Sequence, residues 1–227
     1  MANNFVRYED LITIENFNEE TDKEEFVLLP LEDDLVIGKY QERRNMLEYG
    51  HQIAVRKTVY KKLINVAKKL KEVNENYKII VVYGFRDMKK QEKYFNEILE
   101  EVKDKFEDEI EMYEYIHEKI AVPVVSGHPT GGAVDAAIYD DVENKILDFG
   151  SDILDYSTIQ CYYETENISE EAKNNRKLLR KIMMKEGFAP YDGEWWHFSY
   201  GDKEWAFYYD NEEALYNQVE ASRIFGK

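Results

Sequence analysis

The chain has 227 residues, of which 44% are hydrophobic, 14% aromatic and 34% charged, with a formal net charge of −17. That apolar and aromatic content excludes a disordered acidic chain and fits a globular protein of one large domain or two small ones. The acidic excess excludes nucleic acid and anionic membrane surfaces as natural partners, because both would be repelled.

No Pro/Gly/Ser-rich linker and no fixed-period repeat divides the sequence, so a single domain over residues 1–227 is expected. Cys161 is the one cysteine, which rules out an internal disulfide and suits a reducing compartment. "MANNFVRYEDLITIENF" has no basic segment leading into an apolar run, and no stretch approaches the roughly 18 apolar residues that span a bilayer. A cytoplasmic location is the expectation.

Along the chain, Val55, Val59, Leu63, Val66, Ala67 and Leu70 recur at three-to-four-residue spacing, which predicts an amphipathic helix over 51–75. "KIIVVYGF" is a short β-branched run ended by Gly84 and predicts a buried strand. Phe95, Leu99, Val102, Phe106, Ile110 and Tyr113 mark a helical face within 87–119, and Pro123 closes the region. A strand is expected from Gly132 to Tyr139, with "DDVEN" as a turn and "KILDFG" as its hairpin partner. Ser169 is the expected N-cap of a helix reaching Met184, Gly187 its stop, and "EWWHFSY" a further strand. Helices and hairpins together predict an α+β fold, a mostly antiparallel sheet flanked by helices.

Chemistry concentrates in "SGHPTGGAVD". His128 and Asp135 lie seven apart, so on an unbroken strand they would face opposite ways. Gly131 and Gly132 permit a tight turn or a close backbone approach, which lets the two side chains converge. Asp135 sits in the apolar run Ala133, Val134, Ala136, Ala137, Ile138, where a carboxylate needs a partner. A divalent cation would serve, and so would a buried Arg or Lys. In "GEWWHF", His197 is the natural third ligand, completing two histidines and one carboxylate with a position left for water. Glu194, three residues earlier, is a candidate general base, and Trp195 and Trp196 read as core packing or as a barrier to water. Arg86, just after the "IIVVY" strand, could stabilise an oxyanion, although from its position alone an ordinary surface arginine is the better reading.

Taken together these residues resemble the zinc D-alanyl-D-alanine dipeptidases of VanX type, relatives of the D,D-carboxypeptidases. The pattern S-x-H-x-x-G-x-A-x-D is matched by Ser126, His128, Gly131, Ala133 and Asp135, and E-x-x-H by Glu194 and His197. "YGFR", "NRKLL", "MMKEGF" and "EWWHFSYGDKEWA" look like the dipeptidase branch; the likeness spans about 78–206 and is faint over about 1–76. It implies one zinc ion held by His128, Asp135 and His197, with Glu194 as base and then acid. It also implies that Arg86 polarises the scissile carbonyl and that Ser126 seats the carboxylate of a small dipeptide, in the family D-Ala-D-Ala. Two positions depart from the family. "TIENF" aligns with the amine-pocket segment but puts Leu11 where the family has tyrosine, and "FGSDILD" puts Leu154 at an acidic position that one added residue would return to Asp155.

Other readings share parts of this pattern. A D,D- or L,D-carboxypeptidase needs an open groove and access to the cell exterior. A non-haem Fe(II) oxygenase uses the same ligand types but has no use for a glutamate three residues before the last histidine. A non-catalytic metal-binding module, as in the hedgehog signalling domains that resemble these peptidases, has no use for Glu194 and Arg86 together. His51 and His117 fall inside predicted helices as structural or surface residues, and Glu32-Asp33-Asp34 reads as solvated surface.

Overall fold

The computed structural model describes residues 5–15, 22–41 and 45–226; the end of "TIENF" (16–17) lies outside them. In chain order the elements are α1 (Tyr8–Ile12), β1 (Phe26–Leu28), β2 (Val36–Gly38), β3 (Ala54–Arg56), α2 (Lys57–Val73), β4 (Tyr77–Tyr83), α3 (Met88–Val102) and α4 (Glu109–His117). Single 3-10 turns at Pro123–Val125 and His128–Thr130 lead into β5 (Val134–Asp140) and β6 (Lys145–Ile146). A further 3-10 turn at Ile159–Cys161 precedes α5 (Glu170–Lys185), β7 (Ala189–Pro190), β8 (His197–Ser199), α6 (Lys203–Tyr208) and α7 (Ser222–Phe225).

The principal sheet has the order β2-β4-β5-β8-β7, with β6 paired to the far end of β5. Only β2 and β4 run parallel within it, so the expected α+β fold with a mostly antiparallel sheet is what the chain adopts. A small antiparallel sheet joins β1 to β3. The β-branched run of β4 is covered on both faces, with Ile79, Val81 and Val82 fully buried. Val59, Leu63, Val66, Ala67 and Leu70 of α2 are all 0% exposed, so the predicted stripe is the face that packs on the sheet. Ser169 caps α5 by accepting from Ala172 N, and Gly187 ends the turn after it at φ +83°.

Three expectations change. The helix over 51–75 begins only at Lys57, because Ala54–Arg56 pair in register with β1, and His51 lies in an exposed bend outside any helix. A three-residue segment of this kind carries no helical period of its own, and a partner strand decides its state. The helix over 87–119 is two helices, since Asp108 caps a new one by accepting from Glu111 N. "EWWHFSY" forms strand only at His197–Ser199; residues 191–196 are a turn, with His197 N donating to Glu194 O at 3.1 Å. That last difference matters, because side chains three apart on a straight strand would face opposite ways.

Candidate metal and catalytic site

Strand pairing brings the distant parts of the sequence together. β5 and β8 are antiparallel neighbours, and their register puts Asp135 directly opposite His197. On the other edge of β5 the register of β4 shifts by one residue between Val81 and Tyr83, a bulge that lies beside Asp135. His128 enters from the 3-10 turn before β5. Gly131 closes that turn at φ +74°, and at Gly132 a Cβ would stand 2.3 Å from the Tyr200 carbonyl oxygen. The Gly-Gly pair thus supplies one left-handed residue and one close approach, and the imidazole folds back over the strand. One nitrogen each from His128 and His197 and one oxygen from Asp135 all lie within 4.8 Å of one another.

The hydrogen bonds define which atoms face inward. His128 Nδ1 stands 2.8 Å from Gly84 O, which can only accept, so Nδ1 carries the proton and Nε2 presents a lone pair. That Nε2 lies 3.5 Å from Asp135 Oδ2. Burial pushes the His128 pKa down, and Asp135 is held well below the usual carboxylate range, because the two imidazoles outweigh the effect of its burial. A neutral nitrogen lone pair and a carboxylate oxygen therefore meet across one short gap, and a cation is the partner that satisfies both.

His197 shows the complementary arrangement. Its Nδ1 lies 3.0 Å from Asp135 Oδ1, a contact that needs a shared proton or a cation. Its Nε2 lies 3.3 Å from Glu204 Oε2 and 3.4 Å from Ser199 Oγ. Burial would lower the pKa of His197, but Glu204 and Asp135 outweigh it and raise the pKa well above its ordinary value. These carboxylates select for positive charge at this point, whether a proton or a metal. Two imidazoles and one carboxylate suit a divalent transition-metal ion with a coordination position left open.

Around this centre lies a small cleft lined by Arg86, His117, Ser126, Tyr156, Tyr191 and Glu194, with residues 118–121 as one wall. Glu194 Oε2 is 3.9 Å from His197 Nδ1 and accepts from Trp196 Nε1 at 2.9 Å. Trp195 and Trp196 are both core residues, 2% and 0% exposed, yet the second also orients the carboxylate. Arg86 is 3% exposed with its guanidinium 4.7 Å over the Tyr83 ring, so it is no surface arginine. Ser126, 2% exposed, closes the 3-10 turn at Pro123–Val125. Asp155 lines a larger groove with Lys39, Lys78 and Ser151, and accepts from Ser157 N at 2.9 Å. Leu11 is fully buried among Tyr8, Phe95 and Ile116.

A family model described as peptidase M15, D-ala-D-ala dipeptidase, matches residues 36–218. The chain belongs to this family. A D-alanyl-D-alanine dipeptidase of Synechocystis sp. is 27% identical over 196 residues, 73% of this chain and 79% of that protein. One from Enterococcus faecalis is 31% identical over 109 residues, 48% of this chain and 53% of that protein. Among solved structures, VanYB in complex with D-Ala-D-Ala has a TM-score of 0.40 at 17% identity, covering 88% of this chain and 93% of that one. The D,D-dipeptidase VanXYg in complex with a D-Ala-D-Ala phosphinate analogue has a TM-score of 0.39 at 20% identity, covering 88% of this chain and 68% of that one.

Beyond the motifs of this peptidase family, the cleft contains residues that sequence patterns did not single out. His117 ends α4, as expected of a helical residue, but it is buried and lines the cleft rather than the surface; its Nδ1 accepts from Val122 N at 3.3 Å. Glu204, in the first turn of α6, is 12% exposed and held below the usual carboxylate range, since His197 outweighs its burial. A signal existed for the helix start, where Asp202 accepts from Trp205 N as an N-cap, but none for the side chain that Glu204 would reach.

Proposed function

We propose that this protein is a zinc peptidase that cleaves a free dipeptide, D-Ala-D-Ala first among candidates, acting in the cytoplasm. His128 Nε2, Asp135 and His197 Nδ1 hold the metal, which when bound supplies Lewis acidity that brings the pKa of water down to about 7. Glu194 takes the proton from the attacking water and returns it to the leaving amine. Arg86 stabilises the oxyanion that develops on the scissile carbonyl, and Ser126 helps seat the substrate carboxylate. The observation that carries this reading is the pair of facing acceptors, a neutral His128 nitrogen 3.5 Å from the Asp135 carboxylate, with Glu194 3.9 Å from the third ligand. Family membership supports the reaction class. The wall at 118–121 together with Tyr156 and Tyr191 favours a short substrate over a long peptide stem.

The deciding experiment compares zinc-loaded protein on D-Ala-D-Ala and on its N-acetylated form. Turnover of the free dipeptide alone is expected, and Glu194→Ala should lower kcat by about 10²–10⁴ through loss of the base. Full activity of that variant with zinc bound would sink the mechanism. Equal cleavage of the acetylated form would favour the carboxypeptidase reading.

A further inference from the structure

The arginine assigned to the oxyanion stands immediately before a helix, and that position decides what can hold it. Asp87 is the N-cap of α3: its Oδ1 accepts from Lys89 N at 3.1 Å, and its other oxygen accepts from the Tyr49 hydroxyl. Arg86 is therefore the residue before the cap and Gln91 the fourth residue of the helix. Side chains at these two positions meet across the first turn, and where both are apolar they pack as a staple. Here the staple is polar. Arg86 Nη1 donates to Gln91 Oε1 at 2.7 Å, and Gln91 Nε2 donates to Ala121 O at 2.6 Å. Gln91 is 0% exposed. The amide cannot be the other way round, because the Ala121 carbonyl only accepts and the guanidinium only donates.

We infer that Gln91 is the positioning residue of Arg86, holding its guanidinium with a neutral acceptor and tying it to the cleft wall through Ala121. This rests on the hydrolase reading above. The choice of an amide has a physical reason. A glutamate at 91 would bind the guanidinium at least as strongly, but its charge would offset the field that Arg86 must exert on the developing oxyanion in a site shielded from water. A neutral acceptor fixes direction and leaves the positive charge available. The backbone is fixed separately, by Arg86 N donating to His128 O at 3.2 Å, so Gln91 governs the head of the side chain. Because Ala121 belongs to the wall of the cleft, the same amide keeps that wall and the guanidinium in register.

The test is a double-mutant cycle on zinc-loaded protein with D-Ala-D-Ala as the probe. Gln91→Glu should lower kcat about 10–100-fold with KM within about threefold, since a misdirected or neutralised oxyanion partner acts in the transition state. Gln91→Met, neutral and of similar length, should lower kcat about 5–20-fold by losing direction alone. Arg86→Ala alone should cost about 10²–10³. In the Arg86→Ala background either substitution at 91 should add less than about twofold. Melting temperature and zinc content accompany each variant, and the Met variant carries the cycle if the Glu variant does not fold. Two results overturn the inference while leaving the hydrolase intact: both Gln91 variants within about twofold of wild type, or losses that persist undiminished without Arg86, as a merely structural role would give. Arg86→Ala within about threefold of wild type overturns the oxyanion role itself, and the inference with it.

Discussion

Removing Glu204 tests how His197, the third ligand in the reading proposed above, is oriented. His197 has two ring nitrogens with separate tasks: Nδ1 faces Asp135 Oδ1 at 3.0 Å, and Nε2 faces Glu204 Oε2 at 3.3 Å. With a metal on Nδ1, Nε2 must carry the proton and donate it to Glu204, which fixes tautomer and ring angle and raises the basicity of the ligand. Outer partners of this kind contribute about 10–100-fold to metal affinity, or about 1.4–2.8 kcal/mol. Glu204→Ala should fall near the upper part of that range, because Ser199 Oγ at 3.4 Å is a weak substitute. Glu204→Gln keeps the volume and replaces a charge-assisted bond with a neutral one, so a loss of about tenfold is expected. Competition against a chromophoric chelator at pH 7.5 gives the zinc Kd, and turnover at saturating zinc should recover most of the lost rate. A zinc Kd for Glu204→Ala within about twofold of wild type would refute the orienting role. A rate loss that zinc saturation does not touch would mean that Glu204 acts on the substrate instead.

Trp196→Phe keeps the ring packed on Tyr156 and Trp195 but removes the donor 2.9 Å from Glu194 Oε2. We expect kcat to fall on the order of tenfold with zinc Kd unchanged, and an unaltered kcat would show that the carboxylate needs no such support. Arg56 is 0% exposed, lies between the Phe26 and Tyr216 rings, and donates to Thr130 O, Glu24 O, Asn217 O and Asp22. Arg56→Lys keeps the charge but not the fork, so urea unfolding should report a loss of about 3–5 kcal/mol, and a loss under about 1 kcal/mol would contradict this account. Burial, aided by Glu194, pushes the Cys161 thiol up to about 11. At pH 8 only about one thiol in 10³ is ionised, so disulfide reagents should modify it only after unfolding; rapid labelling of native protein would refute the burial. The net charge of −17 exerts little pull on a zwitterionic dipeptide but repels an acetylated, monoanionic one. Raising salt from about 10 mM to 0.5 M should therefore strengthen inhibition of free-dipeptide turnover by the acetylated form, and a salt-independent inhibition would place discrimination wholly inside the cleft.

The parts of the fold that were legible in the sequence are those where a local pattern and a tertiary role coincide. The stripe of α2, the run of β4 and the caps Ser169 and Gly187 each announce themselves within a few residues. That His128, Asp135 and His197 come together was legible for a different reason, since the chemistry of metal binding restricts which residue types can serve and the Gly-Gly pair marks a turn. What escaped notice depends on register. Ala54–Arg56 became strand because β1 lies opposite, and Glu204 reaches His197 because β8 runs straight into the turn that starts α6. Gln91 is a partial exception, for its spacing from Arg86 follows from the helix start at Asp87, which the sequence displays.

One strand organises the chemistry. Asp135 lies in β5 itself, His197 comes from the neighbour on one edge, Arg86 follows the neighbour on the other, and His128 belongs to the turn that feeds the strand. A slip of one residue in either pairing would turn Asp135 or His197 to the opposite face, so the register that buries the core also enforces the ligand geometry. The cleft walls have another origin: residues 118–121, Tyr156 and Tyr191 all sit outside the strands. In the proposed reading, changes in those segments can alter which peptide fits without disturbing the residues that would hold the metal. The departure at Leu154, next to Asp155, falls in the segment that leads to Tyr156, where sequence can change while the pairing of β4, β5 and β8 keeps Asp135 and His197 in place.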